Sequence, residues 1–289
     1  MKQAFARAVV AVALLWVAVP ASAWAQELTV YPARRIITMD PSLPSATAVA
    51  VRDDRIVAVG TMETLQPWLD AHPYEIDETF RDKVLMPGLI DPHLHPGLGA
   101  SLLGQNEIIT PEDWWLPSAG LIKGVKDRES YLARLQEVAD RDPDSVEPLF
   151  TWGWNTYWHG PITRKELDAI SRTRPIVVTQ RSAHELVLNT AALEAAGITE
   201  EVVARVPEGA SWEEGRFWER GQEAVRERIA TYLERDDGGR GYALVVDLIH
   251  RGGVTTIADA GSAPVVGSPG WEGLKESFDT DETPFRILH

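Results

Sequence analysis

The sequence predicts an α/β protein in two parts, a small β-rich segment over residues 26–83 and a run of alternating strands and helices over residues 84–289. Three observations carry this reading. Short β-branched pieces crowd the first part, apolar strand candidates alternate with helical periodicity in the second, and one strand candidate ends in Asp91-Pro92-His93-Leu94-His95, which sets chemistry at a strand terminus. Alternation of this kind is how parallel β/α units read. A TIM-like (β/α)8 barrel, with its site at the C-terminal strand ends, is the natural assembly.

Residues 1–25 read as an export signal. Lys2 and Arg7 supply positive charge, residues 8–19 are almost wholly apolar, and Ala21-Ser22-Ala23-Trp24-Ala25 offers small residues for cleavage. The apolar stretch is short for a bilayer span, so the expectation is a periplasmic or secreted protein with no stable membrane anchor. With no cysteine, the fold there must rest on its core and on any metal, without disulfides.

Within 26–83, Leu28–Tyr31, Arg35–Met39, Ala46–Val51 and Arg55–Gly60, the last two joined by a turn at Asp53-Asp54, read as a small antiparallel β unit. From residue 84 the strand candidates are Val84–Asp91, Pro148–Trp154, Ile176–Gln180, Val254–Asp259 and Phe285–Leu288. Helical patterns fall at Arg128–Asp140, Arg164–Ser171 and Glu219–Glu234. These give about five barrel strands, whereas closure needs about eight.

The formal charge is −15, from 43 acidic against 28 basic residues, which argues against nucleic acid as a partner and is accounted for by solubility. No Gly-x-Ser-x-Gly elbow, phosphate-binding glycine loop or cysteine nucleophile offers a competing chemistry. His93 and His95 suit a metal, because spacing two puts them on one face of a strand and neutral imidazole is a good zinc ligand. Asp91 shares that face, where it either orients a ligand or caps a turn. Asp259 ends a strand and stands open between a functional residue and a turn aspartate. Trp154 and its neighbours Trp114, Trp115, Trp152 and Trp158 either line a pocket for an apolar group or pack loops onto the core.

The phrase Pro87-Gly88-Leu89-Ile90-Asp91-Pro92-His93-Leu94-His95 closely resembles the first-strand signature of the amidohydrolase superfamily. Trp152-Gly153-Trp154-Asn155, Leu167-Asp168-Ala169-Ile170-Ser171, Arg174-Pro175, His184 with Asn189-Thr190-Ala191-Ala192-Leu193, and Gly253–Asp259 follow in an order that resembles its type 3 branch, which contains N-substituted formamide deformylase. The resemblance implies a divalent metal, zinc first among candidates, and a small-molecule substrate whose amide-type C–N bond is cleaved by metal-activated water. It implies that the β-rich segment is the N-terminal part of a composite β-sandwich. It also implies Glu219, after Gly215-Arg216-Phe217-Trp218, as a possible third metal ligand, against a solvated glutamate in an acidic stretch. His159 and His184 match positions on the substrate side, against structural loop histidines. Further ligands of the family, two histidines and an aspartate, and its general base have no counterparts here. The chain therefore reads as about the N-terminal half of a larger enzyme; the alternatives are a truncated, catalytically incompetent metal-binding or interaction module, or one half of a split enzyme with a complementing C-terminal half. A homo-oligomer is also open.

Overall fold

The computed structural model describes residues 28–116, 119–233 and 240–260, together with 275–276, 278, 280 and 283–288. The export signal read over residues 1–25 lies outside the described residues. Contacts divide the chain into two compact units, Met1–Pro87 and Gly88–His289.

In the first unit β1 (Leu28–Ile37), β2 (Ser45–Arg52) and β3 (Arg55–Gly60) form an antiparallel meander. The β2–β3 turn is the expected one, with Asp53 taking the left-handed conformation at φ 55° that a two-residue hairpin demands. Helix α1 (Met62–Leu69) starts at a capping box in which Thr61 and Thr64 satisfy each other's backbone N–H groups. It buries Leu65 and Leu69 against Leu28, Val30, Ala48 and Ala50. Strands β4 (Tyr74–Ile76) and β5 (Val84–Leu85) add to β1 in parallel, so the sheet is mixed and not purely antiparallel. The expected strand Val84–Asp91 is thereby split: its first two residues pair with β1, and Pro87-Gly88 breaks the run.

The second unit begins with β6 (Leu89–Leu94) and α2 (Pro96–Gln105), then the short β7 (Glu107–Ile108) and the hairpin strands β8 (Trp114–Leu116) and β9 (Gly120–Ile122). Next come α3 (Arg128–Asp140), β10 (Leu149–Trp154), α4 (Thr156–His159), α5 (Arg164–Ile170), β11 (Ile176–Gln180) and β12 (Glu185–Leu188). The unit ends with α6 (Thr190–Ala195), α7 (Glu200–Val203), β13 (Ala210–Ser211), β14 (Arg216–Trp218), α8 (Arg220–Leu233), α9 (Arg240–Arg251), β15 (Val254–Asp259) and β16 (Arg286–Leu288).

Strands β7, β10 and β11 are parallel and continue into antiparallel β12, β14 and β13, forming one six-stranded sheet. Its centre is covered on both faces, which is why β10 and β11 read as continuous apolar runs. Leu149, Trp154, Ile176 and Val178 pack on Tyr131, Leu135 and Val138 of α3. Phe150 and Val177 face the other way, onto Ala192, Leu193, Val225 and Ile229. The motif residues between these strands serve as scaffold: Asp168 of α5 accepts from the backbone and hydroxyl of Thr190, at 2.8 and 2.7 Å. Asn189, fully buried, accepts from Ile176 N and Ala192 N and donates to Ser171 O and Arg174 O.

Strands β6, β15 and β16 form a second, parallel sheet, with α2 and α9 against it through Ala100, Val245, Ile249 and Ile257. The expected five parallel strands are present, but they fall two in one sheet and three in the other. Among the described residues no ladder joins the two sheets into a closed barrel. Among the described residues strand β6 is an edge, and its register with β15 shifts between Asp91 and Leu94, a place where Pro92 fits without removing a needed donor. A Cβ on Gly88 would stand 2.1 Å from Thr255 Oγ1, so only glycine lets the chain enter β6 alongside β15.

Candidate active site

His93 is the last-but-one residue of β6 and is exposed, with its backbone N–H donating to Asp91 Oδ1 at 3.0 Å. Asp91 is thus engaged in bracing the backbone of His93, which is the turn-capping arrangement. The strand stops one residue short of His95, which the spacing had placed on its face. Leu94 ends β6, and His95 (φ −122°, ψ 76°) is the half-buried N-cap residue of α2, directly before Pro96. The two imidazoles nevertheless stand close, with ring centroids 5.0 Å apart and planes at 77°.

That separation suits one shared ion, since two nitrogens each about 2.0–2.1 Å from a tetrahedral centre hold their rings at about this distance. Among the described residues His95 Nδ1 is buried without a hydrogen-bond partner, an atom with a lone pair or proton to place. The pair therefore fits two positions of a metal site. The third does not assemble: among the described residues no group of three histidine, aspartate or glutamate side chains is placed to hold an ion. Glu219 is committed elsewhere: it directly follows β14 of the six-stranded sheet and pairs with His184, whereas His93 and His95 stand at the end of β6 and the start of α2.

Glu219 and His184 form their own pair. Their carboxylate and Nδ1 lie 3.3 Å apart, and Glu219 N donates to His184 O at 3.1 Å. Glu219 sits at φ 47°, the left-handed region that a non-glycine side chain enters only when its surroundings enforce it. His184 is carried by the loop between β11 and β12, where Ala183 N donates to Gln180 O and Ala183 itself is left-handed at φ 62°. This tight turn projects Arg181, Ser182 and His184 at the strand ends.

A cavity of about 790 Å³ connects the pieces, lined by His95, Leu98 and Leu102 on the α2 side and by Ser182, His184 and Glu219 on the other. Such a volume suits a small organic ligand. The histidine pair and the His184–Glu219 pair thus share one cavity without sharing a coordination shell.

Two pocket expectations are corrected. Trp154 is 1% exposed and belongs to the core, its Nε1 donating to Gly160 O at 3.0 Å. His159 is fully buried, with Nε2 donating to Val125 O at 2.8 Å and Nδ1 accepting from Asn155 N at 3.1 Å. It stacks on Tyr131 at 4.4 Å. Burial pushes its pKa down, against the opposing pull of the Val125 carbonyl, so the ring is held neutral in one tautomer. Asp259 is buried at the end of β15, in register with Leu94, and so lies across the ladder from the histidine-bearing segment. Arg181 and Ser182 were not anticipated; the only signal for them was their position just past a predicted barrel strand.

Residues 81–289 match the family model described as Amidohydrolase family. Among curated proteins, the chain is 28% identical over 183 residues to Protein LONG AFTER FAR-RED 3 of Arabidopsis thaliana, covering 60% of this chain and 28% of that protein. It is also 28% identical over 167 residues to the putative amidohydrolase YtcJ of Bacillus subtilis (strain 168), covering 57% of this chain and 28% of YtcJ. Among solved structures, an uncharacterized metal-dependent hydrolase from Pyrococcus horikoshii OT3 superposes with a TM-score of 0.56 at 18% identity, over 91% of this chain and 48% of that one. The chain spans less than half the length of each of these three.

Proposed function

The chain belongs to the amidohydrolase family, and from that premise we propose that it serves a metal-dependent hydrolase of amide-type carbon–nitrogen bonds. The observation that carries this reading is the His93–His95 pair, 5.0 Å apart between ring centroids, with His95 opening onto a cavity of about 790 Å³. His93 and His95 would hold the ion, and zinc suits them best. A divalent metal in such a place supplies Lewis acidity toward the scissile carbonyl and acidifies water. The chain's own residues do the rest: Asp91 fixes the backbone of His93, Leu98 and Leu102 give the cavity an apolar wall, and the His184–Glu219 pair offers a polar wall to the substrate. N-substituted formamides are the first substrates to screen, on the branch resemblance. The export signal over residues 1–25 would place the activity in the periplasm or outside the cell.

Elemental analysis tests the ligand assignment. The His93→Ala/His95→Ala protein is expected to lose bound zinc, whereas metal stoichiometry equal to that of the parent refutes the assignment. A second reading, a metal-binding or interaction module without turnover, has its own observation in the two-donor site. Zinc content without hydrolysis across a panel of formamides and other amides would favour it.

A further inference from the structure

A second cavity, of about 320 Å³, opens at the C-terminal ends of the adjacent parallel strands β10 and β11. Its lining is Asn155, Thr156, Tyr157, Gln180, Arg181 and Ser182, and Ser182 also lines the larger cavity. Ligand sites of open parallel sheets gather at such strand ends. Arg181 is the one charged residue in this lining, in a chain whose formal charge is −15.

Arg181 is held in an unusual way. Its guanidinium carbon lies 4.8 Å from the ring centroid of Trp152 and 5.6 Å from that of Trp114, and the two indoles meet edge to face. Its backbone N–H donates to Trp154 O at 2.7 Å, which ties it to the end of β10. The fork carries five N–H donors. Among the described residues none of them has an acceptor within hydrogen-bond distance, and the nearest carboxylate, Glu112, stands 3.6 Å from Nε on a side chain 53% exposed. Trp152 Nε1, beside it, is likewise buried without an acceptor. Aromatic clamping fixes the position and plane of the cation at little further entropic cost and leaves its hydrogen-bonding capacity unspent. A planar, preorganised fork of this kind is matched by a carboxylate.

We infer that Arg181 recognises a carboxylate on the substrate, and that the amide this protein cleaves carries one, as an N-acyl amino acid does. The substrate assignment rests on the hydrolase reading; the binding role of Arg181 does not. The amide would lie in the larger cavity near His95, and its carboxylate would reach past Ser182 to the Arg181 fork. Glu112 is the counter-ion that the ligand displaces.

Calorimetric titration of the full chain, as isolated and after chelation with EDTA, compares N-benzoylglycine with the neutral N-benzoylglycinamide. The carboxylate is expected to bind about tenfold tighter or better in both preparations, as a charge-assisted contact implies. Arg181→Met, which keeps the stem over the indoles, should abolish that preference, and Glu112→Gln should tighten N-benzoylglycine severalfold by removing the competitor. Equal binding of the two probes, or a preference that survives Arg181→Met, overturns the inference. So does Glu112→Gln without effect, and this arm stands even where Arg181→Met fails to fold. Because the readout is binding, absence of hydrolysis would count against the functional reading and leave this result intact.

Discussion

Replacing His159 with leucine separates a structural histidine from a functional one through the sign of a pH effect. The substitution removes the acceptor of Asn155 N–H and the donor to Val125 O in a fully buried setting. Two hydrogen bonds worth about 1 kcal/mol each, plus the cost of leaving buried backbone groups unpaired, give an expected loss of about 2–4 kcal/mol at pH 8. The native ring is held neutral, its pKa lowered by burial from the ordinary value of 6.5. As pH falls below 6.5 the unfolded chain takes up this proton before the folded one, so parental stability declines by up to about 1.4 kcal/mol per pH unit from this residue. The leucine variant lacks that proton. The gap between the two proteins should therefore narrow by up to about 1 kcal/mol between pH 6.5 and pH 5.5. Urea denaturation at pH 8.0, 6.5 and 5.5 reads it directly. A gap that stays constant or widens toward acid refutes the argument, and so does a gap under about 1 kcal/mol at pH 8.

Gly153, at φ 118°, marks the bulge of β10, and a Cβ there would meet Thr110 Cγ2 at 2.3 Å and Ile109 O at 2.6 Å; Gly153→Ala should cost at least about 2–3 kcal/mol, read as a lowered melting temperature. Glu185, 8% exposed on its side chain, accepts from both forks of Arg216 across β12 and β14 and from Gln180. Glu185→Gln should lose about 1–3 kcal/mol, because Arg216 keeps partial access to water; a loss that vanishes at low salt and reappears at high salt would contradict a charge pairing.

What the sequence made legible has a common physical basis. Helix α3 was readable because Tyr131, Leu135 and Val138 recur at helical spacing, and β10 and β11 because parallel strands covered on both faces read as near-continuous apolar runs. Helix α2 was not, since Gly97, Gly99 and Gly104 give it poor helical propensity and its stability comes from packing on α9. Strands β13 and β14 are two and three residues long and carry no pattern to detect. In the site, the proximity of His93 and His95 was legible from their spacing. The burial of Trp154 and His159 was not, because a residue at or just past a strand end can turn inward or outward, and the short helix α4 turns His159 onto Tyr131 and the Val125 carbonyl. The company of Glu219 was decided by a left-handed backbone angle at a non-glycine residue, which no residue pattern announces.

His95 stands at a junction between chemistry and chain order. It is the last residue before α2, its carbonyl accepts from Gly99 N at 2.9 Å to start that helix, and its side chain makes no capping bond. An ion gripping its ring would act as a clamp on the first turn of a glycine-rich helix, so occupancy and helical order become one equilibrium. Amide exchange at Gly99 and along the α2 backbone would then slow in proportion to metal concentration, turning a spectroscopically silent ion into one whose arrival is written in the protection of a neighbouring helix.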